Sequence, residues 1–383
     1  MKEKTERFEY IGAMRGLAIL LVIFGHSGAM TGTEGVLRAL ANGCMMGVHL
    51  FFVISGFTIF YMLDKHARQE THPVRNFFIR RFFRIVPLYW FAILYYMAIW
   101  GTLKTFEWWH YPAHVFLLNS LHPEPQTSAV PGGWSISIEM LFYLSVPFIF
   151  KRVRDLSSAF KFFLICVLAF PPVVWLLSVW CKPLFAGMNR YLVYIYWERF
   201  PLISIGCFAA GILLFYLLKN ERVNTFIRDK NINLVGVIAV GSLLGALPFL
   251  QTVYPVQAHF YACVFMFLIL LLAAHPWRIL VNPLLTLTGK ISYSMYIFHF
   301  SIQAGLYYWI SANLPSLTGH PYLYFAVFFF LTLALSVPAA WCGHRFIEQP
   351  FIELSRKLTA YLESRTAENE VKMPSQSTMQ AGG

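Results

Sequence analysis

The chain has 383 residues, of which 58% are hydrophobic and 13% are charged, and its formal net charge is +12. Soluble domains carry about 25% charged residues, so this chain has too few to cover the surface of a soluble globular protein. The composition therefore excludes a soluble protein and predicts one that is integral to a membrane.

The first apolar segment, residues 11–29, contains two ionisable side chains, Arg15 and His26. Eleven helical residues return a side chain to within about 20° of its starting direction, so both point from one face. They are about 16 Å apart along the axis, half of the ~30 Å hydrocarbon core. Ionisable residues in a spanning helix are costly and indicate a functional path. The alternative is a snorkelling arginine and a hydrogen-bonded structural histidine.

Ten apolar segments have the length of a membrane span. They cover residues 11–29, 43–63, 84–101, 133–150, 161–180, 199–218, 232–250, 256–274, 290–310 and 322–342. The sequence thus predicts an all-α fold, a polytopic membrane helical bundle of about ten transmembrane helices. A shorter run at 108–121, which contains Pro112 and several histidines, predicts an interfacial or re-entrant segment.

Lysine and arginine are unevenly divided between the two ends of these spans. With both termini cytoplasmic, twenty-four basic residues lie on the cytoplasmic side, five lie on the opposite side, and Arg15 lies within the first span. This bias satisfies the positive-inside rule, so the net charge needs no nucleic-acid partner. The six cysteines have no CxxC spacing, which predicts small core residues and neither a disulfide framework nor a metal site.

Three titratable side chains are predicted at one level of the outer half of the bundle: His26, His49 and Glu139. A carboxylate that hydrogen-bonds an imidazole fixes its tautomer and stabilises the imidazolium. Glu139 is therefore a candidate to orient His26 as a general base. Two alternatives remain: Glu139 braces the start of its helix near Trp134, and His49 is only a wall residue.

A second basic cluster lies in RNFFIRRFFRIVPLYW, residues 75–90. Arg80, Arg81 and Arg84 fall at the cytoplasmic edge of the third span, where guanidinium groups can bind phosphates. The alternative is charge that sets the topology beside anionic lipid headgroups.

Five motifs occur in order along nearly the whole chain. They are Arg15 with His26, GVHLFFVISGF at 47–57, RRFFRIVPLYW at 80–90, WSISIEMLFYLSVP at 134–147, and GKISYSMYIFH at 289–299 with EQPF at 348–351. Together they resemble the acyltransferase 3 family of integral membrane acyltransferases, which modify envelope polysaccharides and other hydroxyl-bearing acceptors.

The resemblance implies ten spanning helices and transfer of an acyl group, usually acetyl, from cytoplasmic acyl-CoA to an acceptor on the outer side. It also implies that Arg15 and His26 are essential. The donor phosphates are expected beside Arg15 and the cytoplasmic arginines, with the thioester extending toward His26. Whether His26 acts as a general base or carries the acyl group stays open.

The predicted site residues fall into three groups. We assign catalysis to His26 and Glu139, donor binding to Arg15, Arg80, Arg81 and Arg84, and the acceptor-binding wall to His49, Ser55, Trp134, Tyr143 and His299. A structural role is the alternative for His299. Position 49 is often acidic in relatives, which weakens the role transferred to His49.

We therefore predict an O-acyltransferase, in the simplest case an O-acetyltransferase, of the bacterial cytoplasmic membrane. Its expected partners are acetyl-CoA or another acyl-CoA, a glycan or similar hydroxyl acceptor, and the lipid bilayer, with no metal. The membrane domain is predicted at 1–351 and a polar, partly disordered cytoplasmic tail at 352–383. Many relatives carry a C-terminal hydrolase-like domain that is lacking here, so the bundle or a separate partner is expected to acylate the acceptor.

Two functions of other classes remain as alternatives. One is a transporter or flippase of a lipid-linked sugar, because polar residues inside a bundle also mark solute pathways. The other is a non-catalytic scaffold of envelope synthesis. The oligomeric state and the identity of the acceptor do not follow from the sequence.

Overall fold

Helices make up all the regular structure of this computed structural model within the residues it describes, 9–101, 106–249 and 254–372. The α-helices in chain order are α1 (Glu9–Thr31), α2 (Gly35–Cys44), α3 (Gly47–His66), α4 (Pro73–Trp100), α5 (His110–Val115), α6 (Gly133–Arg152), α7 (Leu156–Leu168), α8 (Phe170–Trp180), α9 (Arg190–Glu198), α10 (Pro201–Lys219), α11 (Glu221–Arg228), α12 (Lys230–Ala246), α13 (Tyr254–Ala274), α14 (Pro283–Lys290), α15 (Ser292–Asn313), α16 (Pro321–Gly343) and α17 (Gln349–Lys372).

Nine helical stretches in the described part of the chain are long and apolar enough to cross a membrane. This confirms the predicted all-α polytopic bundle, with nine such stretches where the sequence suggested about ten. The expected span at 290–310 corresponds to α15, which has 22 residues but is not among the nine. Its fully buried polar residues, which include His299 and Gln303, lower its hydropathy. Which end of the bundle faces the cytoplasm stays a prediction.

Several spans differ from their expected limits because short helices join them. The second span is a bent pair, α2 and α3, with the break at Met45 and Met46. The fifth is divided at Ala169 into α7 and α8, just before Pro171 and Pro172, since proline removes a backbone donor. The run at 108–121 forms only α5 and a 3₁₀ turn at Asn119–Leu121, as expected of a segment too short to span.

Helix α1 lies at the centre of the bundle and contacts α2, α3, α13, α14, α15 and α16. Its closest neighbour is α14, where glycines allow backbone contact. A Cβ atom on Gly16 would lie 2.1 Å from the carbonyl oxygen of Leu285, and one on Gly289 would lie 1.9 Å from that of Gly12. Small residues four apart permit such approach between membrane helices, and here they fix the position of Arg15 on the same helix.

The chain continues past α16 through a π-helical turn, His344–Glu348, directly into α17. Glu348 in this turn is 2% exposed and accepts a hydrogen bond of 2.5 Å from Ser294 Oγ. Helix α17 packs against α4, so residues 352–372 of the predicted tail are helical. The rest of that tail, 373–383, lies outside the described residues.

Candidate functional site

Three neighbouring cavities form a row through the interior of the bundle. We call them the basic cavity (about 440 Å³, with Arg15, Arg80, Arg81, Arg84 and Arg356 in its lining), the central cavity (about 100 Å³, with Ser55, Glu139 and Tyr143) and the histidine cavity (about 800 Å³, with His26 and His49). Arg15, Arg81 and Arg84 line both the basic and the central cavity. Val48 and Tyr296 line both the central and the histidine cavity. The shared side chains therefore show that the three cavities adjoin, with the predicted donor arginines at one end of the row and His26 at the other.

Three guanidinium groups converge where the basic and central cavities meet. Arg15 from α1 has its Nη2 atom 3.5 Å from Thr58 Oγ1, and the Arg81 guanidinium lies over the Tyr143 ring at 5.3 Å. Among the described residues, no carboxylate forms a salt bridge with Arg15, Arg81 or Arg84. Cations that form no salt bridge inside a cavity favour an anionic ligand, and guanidinium groups suit phosphate.

Arg80 lies at the same cavity but already has a carboxylate partner. Its Nη1 and Nη2 atoms donate to Glu70 at 2.7 and 3.1 Å, and Asn76 Nδ2 donates to the same carboxylate at 3.1 Å. Partial burial favours the neutral form of Glu70, but the hydrogen bonds from Arg80 and Asn76 outweigh it and hold the pKa of this carboxyl below its usual value. The structure therefore separates Arg80 from the unpaired group formed by Arg15, Arg81 and Arg84.

Glu139 lies in the central cavity with the two predicted wall residues, Ser55 and Tyr143. Both hydroxyls donate to Glu139 Oε1, each at 2.5 Å. Helices α3 and α6 bring these groups together from positions 84 residues apart in the chain. Trp134 belongs to the histidine cavity instead, where the Arg199 guanidinium covers its ring at 4.8 Å.

His26 lies in the histidine cavity and is not joined to Glu139. The two side chains line different cavities, separated by Val48 and Tyr296, and no hydrogen bond connects them in the described structure. The expected common level of His26, His49 and Glu139 therefore brings only the two histidines into one cavity. Helix α3 begins at Gly47, so His49 sits in its first turn. Depth along a helix does not specify which way a side chain points.

The aromatic neighbours of His26 come from α15. Its ring centroid is 4.6 Å from that of Phe300 and 5.5 Å from that of His299. His299 itself is 0% exposed and lines none of the three cavities. His299 therefore lies next to His26 on the α15 side. It does not line the histidine cavity, where the acceptor is predicted to bind.

Sequence reasoning missed three residues of this row. They are Arg199, which directly follows α9, Arg356, which lies in the segment predicted as a polar tail, and Tyr296, which lies in the GKISYSMYIFH motif. Tyr296 shares a hydrogen bond of 2.8 Å with Ser135 and donates to the Gly132 carbonyl at 3.1 Å. The WSIS and SYSMY motifs, which contain Ser135 and Tyr296, carried the signal that could have identified this contact.

The described ranges contain no group of three or more His, Cys, Asp or Glu side chains that could hold a metal ion. All six cysteines are free thiols. The groups of the row that can move a proton or bind an anion are an imidazole, hydroxyls, a carboxylate and guanidinium groups.

The apolar helices and the interior row of polar cavities define a multi-pass membrane protein. A family model described as an acyltransferase domain, acyltransferase 3, matches residues 8–341. The chain therefore belongs to this acyltransferase family, which confirms the resemblance seen in the motifs.

Two similar curated proteins are O-acetyltransferases named OatA from Staphylococcus aureus. The protein of strain MRSA252 is 23% identical over 387 residues, covering 94% of this chain and 59% of the relative. That of strain NCTC 8325 is 23% identical over 384 residues, covering 93% and 59%. The chain thus spans about three fifths of the length of these relatives. No solved structure matches it significantly.

Proposed function

We propose that this protein is a membrane O-acyltransferase that moves an acetyl group from acetyl-CoA to a hydroxyl of an envelope glycan. Family membership supports acyl transfer, and the names of the similar proteins support acetyl as the group and oxygen as the acceptor atom. The observation that carries the proposal is the row of cavities from unpaired arginines to an imidazole. The predicted location is the bacterial cytoplasmic membrane, with the basic cavity on the cytoplasmic side.

Donor binding is assigned to the basic cavity. A coenzyme A thioester carries several phosphate charges, which Arg15, Arg81 and Arg84 can neutralise without first breaking a salt bridge. Arg15 and His26 lie eleven residues apart on the unbroken helix α1, so about 16 Å separates the phosphate end from the reacting end. A donor whose thioester arm runs through the central cavity would present its carbonyl near His26.

Acyl transfer then needs one proton acceptor. The neutral imidazole of His26 takes the proton of an acceptor hydroxyl that enters from the histidine cavity, and the oxygen attacks the thioester carbonyl carbon. The carbon–sulfur bond breaks, and His26 returns the proton to the leaving thiolate. The products are an acetyl ester and free coenzyme A. Covalent catalysis, in which His26 carries the acetyl group, uses the same cavities.

The test is transfer of radiolabelled acetate from acetyl-CoA to base-labile ester in isolated membranes that contain the full chain. His26→Ala should reduce transfer by at least about 100-fold, as expected for loss of a general base. His320→Ala is the matched control, because His320 is exposed and lines none of the cavities. Transfer that survives in His26→Ala would contradict the assignment of His26.

The same membranes separate the alternative functions. A transporter of a lipid-linked sugar predicts loss of glycan export in His26→Ala, whereas the acyltransferase predicts normal export of a glycan without acetyl esters. A scaffold predicts that Arg15→Ala and His26→Ala are both tolerated. Proton NMR of the envelope glycan before and after mild alkali measures the esters directly.

A further inference from the structure

The tautomer of His299 is fixed by the backbone of its own helix. Its Nδ1 atom lies 2.8 Å from the carbonyl oxygen of Tyr296 and 3.2 Å from that of Met295. Carbonyl oxygens only accept hydrogen bonds, so Nδ1 must carry the proton and Nε2 must present a lone pair. This Nε2 atom is fully buried and has no hydrogen-bond partner among the residues that the structure describes.

A second unpartnered acceptor lies one turn further along α15. Gln303 donates from Nε2 to the Ile23 carbonyl at 3.2 Å and to Ser27 Oγ at 3.0 Å. Its Oε1 atom is buried and has no partner in the described part of the chain. Residues 23 and 27 flank His26 on α1, so Gln303 locks the two helices together at the level of His26. Side chains four residues apart share a helix face, which places His299 and Gln303 on the face that meets α1.

Buried acceptors without partners are costly, and two of them on the face of α15 that meets α1 near His26 indicate a donor that is present during function. The His26 ring is 5.5 Å from the His299 ring, centroid to centroid, at an interplanar angle of 37°. Rotation of the His26 ring, or one bridging water, brings an N–H of His26 into hydrogen-bond reach of Nε2. Glu139, the expected partner, lies in another cavity.

We propose that His299 is the positioning residue of His26: its Nε2 atom accepts a hydrogen bond from one nitrogen of His26. The opposite nitrogen then faces the histidine cavity as the proton acceptor, and the bond strengthens when His26 becomes an imidazolium. This inference rests on the proposed role of His26 in acyl transfer. A neutral histidine here does the work that a carboxylate does in other general-base pairs, without a second charge in the bundle.

The other charged or titratable groups of the histidine cavity come from three directions. They are His49 from α3, Tyr194 and Glu198 from α9, Arg199 from the residue after it, and Tyr296 from α15. The Glu198 carboxylate accepts a hydrogen bond from Tyr194, and the Tyr296 hydroxyl is hydrogen-bonded to Ser135 and the Gly132 carbonyl. Among the described residues none of these hydrogen-bonds the His26 ring. His299 and Gln303 therefore supply the unpartnered acceptors on the α15 side.

Two polar substitutions at position 299 distinguish the contributions of the two ring nitrogens of this histidine. His299→Asn keeps a donor near the position of Nδ1, toward the Tyr296 carbonyl, and removes the acceptor near Nε2. His299→Gln keeps an acceptor at about the reach of Nε2. Both are of similar polarity, so the pair controls for the general effect of losing a buried imidazole.

The first measurement is carbethoxylation of His26 by diethyl pyrocarbonate as a function of pH, followed by mass spectrometry on the full chain in lipid nanodiscs. His299→Asn should lower the midpoint of the acid limb by about one pH unit, because the imidazolium of His26 loses a hydrogen bond worth roughly a factor of ten. His299→Gln should restore the wild-type midpoint. Identical titration of His26 in wild type and His299→Asn would overturn the proposal.

The second measurement is acetyl transfer by the same variants. His299→Asn should lower kcat about 10- to 100-fold with little change in KM for acetyl-CoA, and His299→Gln should recover most of it. Equal loss in both variants would overturn the positioning role. Wild-type protein that fails to transfer acetate, while His26 reactivity still depends on residue 299, would refute the proposed function and leave the histidine pairing supported.

Discussion

Arg80, Arg81 and Arg84 lie within two turns of α4, yet their surroundings are different. Arg80 is held by Glu70 through two hydrogen bonds, whereas Arg81 and Arg84 reach two cavities without a salt bridge in the described structure. The sequence grouped the three as one phosphate-binding cluster. The Glu70 carboxylate, which precedes α4, pairs with Arg80 and so separates it from the other two arginines. The position of Glu70 depends on the tertiary structure.

This difference predicts opposite phenotypes for two similar variants. Arg81→Gln should raise KM for acetyl-CoA about tenfold, through loss of one charge-assisted phosphate contact, and leave the thermal midpoint unchanged. Arg80→Gln should lower stability by about 1–3 kcal/mol, because Glu70 loses its main partner. Thermal unfolding of the purified chain and initial rates over a range of acetyl-CoA concentrations measure both.

Glu70→Gln is the matched control for that pair of variants. It should reproduce the stability loss of Arg80→Gln while leaving Arg81 and Arg84 intact. A large rise in KM with Arg80→Gln and no change in the thermal midpoint would show that Arg80 binds the donor after all.

The contact between α1 and α14 depends on glycine at positions where helices touch backbone to backbone. A Cβ at position 16 would lie 2.1 Å from the Leu285 carbonyl oxygen, so the helices would have to separate. Gly16→Ala should therefore destabilise the bundle and displace Arg15 from its cavities. Gly305→Ala is the control, since no described residue has an atom within 4 Å of the added methyl group and alanine favours a helix by about 0.5–1 kcal/mol.

Both glycine variants are measured by thermal unfolding in detergent, together with transfer activity. Gly16→Ala should lose both, and Gly305→Ala should keep both. A thermal midpoint for Gly16→Ala equal to that of the wild type would mean that the helices do not pack as closely as described.

Helix α17 is fastened to the start of α4 by one carboxylate. Glu363 accepts hydrogen bonds from the backbone N–H groups of Thr71 and His72 at 2.7 and 3.2 Å, from Arg75 at 3.1 Å and from Asn76 at 2.8 Å. This contact holds Arg356, earlier on the same helix, at the basic cavity. The hydrogen bonds of Glu363 therefore couple α17, which lies beyond the residues matched by the family model, to the proposed donor site.

Removing the Glu363 carboxylate should affect the proposed donor site although Glu363 does not line the basic cavity. Glu363→Ala should increase proteolytic cleavage within α17 and raise KM for acetyl-CoA several-fold, because Arg356 is no longer held in place. Glu353→Ala, on the same helix and outside the cavity lining, is the control. Equal protease resistance of Glu363→Ala and wild type would contradict the proposed role of Glu363 in holding α17 against α4.

Hydrophobic periodicity and residue spacing predict most of the helices, but they predict less of the candidate site. The shared helix face of Arg15 and His26 can be predicted from their spacing of eleven residues in a regular helix. The neighbours of His26 cannot be predicted in this way, because the rotation of α15 relative to α1 depends on contacts such as that of Gln303 with Ser27. Arg356 could not be assigned to a cavity because polar composition alone does not show where a tail helix docks.

In the molecule as a whole, Val48 and Tyr296 mark the place where the central and the histidine cavity adjoin. In the proposed arrangement, a donor arm passes between them to reach His26. Val48→Trp should obstruct this connection and lower transfer more than about tenfold, while binding of coenzyme A at the basic cavity stays unchanged. Val173→Trp, on an exposed face of α8, controls for the added bulk.

Coenzyme A binding is measured by calorimetry on nanodisc samples and transfer by ester formation. Loss of binding together with transfer would place the donor differently from the proposed arrangement. Transfer that tolerates Val48→Trp would mean that the connection opens elsewhere.

The π-helical turn at His344–Glu348 can absorb a change of chain length that α17 cannot. A π turn accommodates an extra residue relative to α-helical winding, so deleting one residue there would return it to an α-helical turn and leave the direction of α17 nearly unchanged. Each residue of an α-helix corresponds to a rotation of about 100°, so deleting one residue between Gln349 and Arg356 would rotate the side chains that follow by roughly a quarter of a revolution. Arg356 and Glu363 would then face away from α4 although neither had been altered, so the spacing between position 349 and these side chains is itself under constraint, independently of which amino acids fill it.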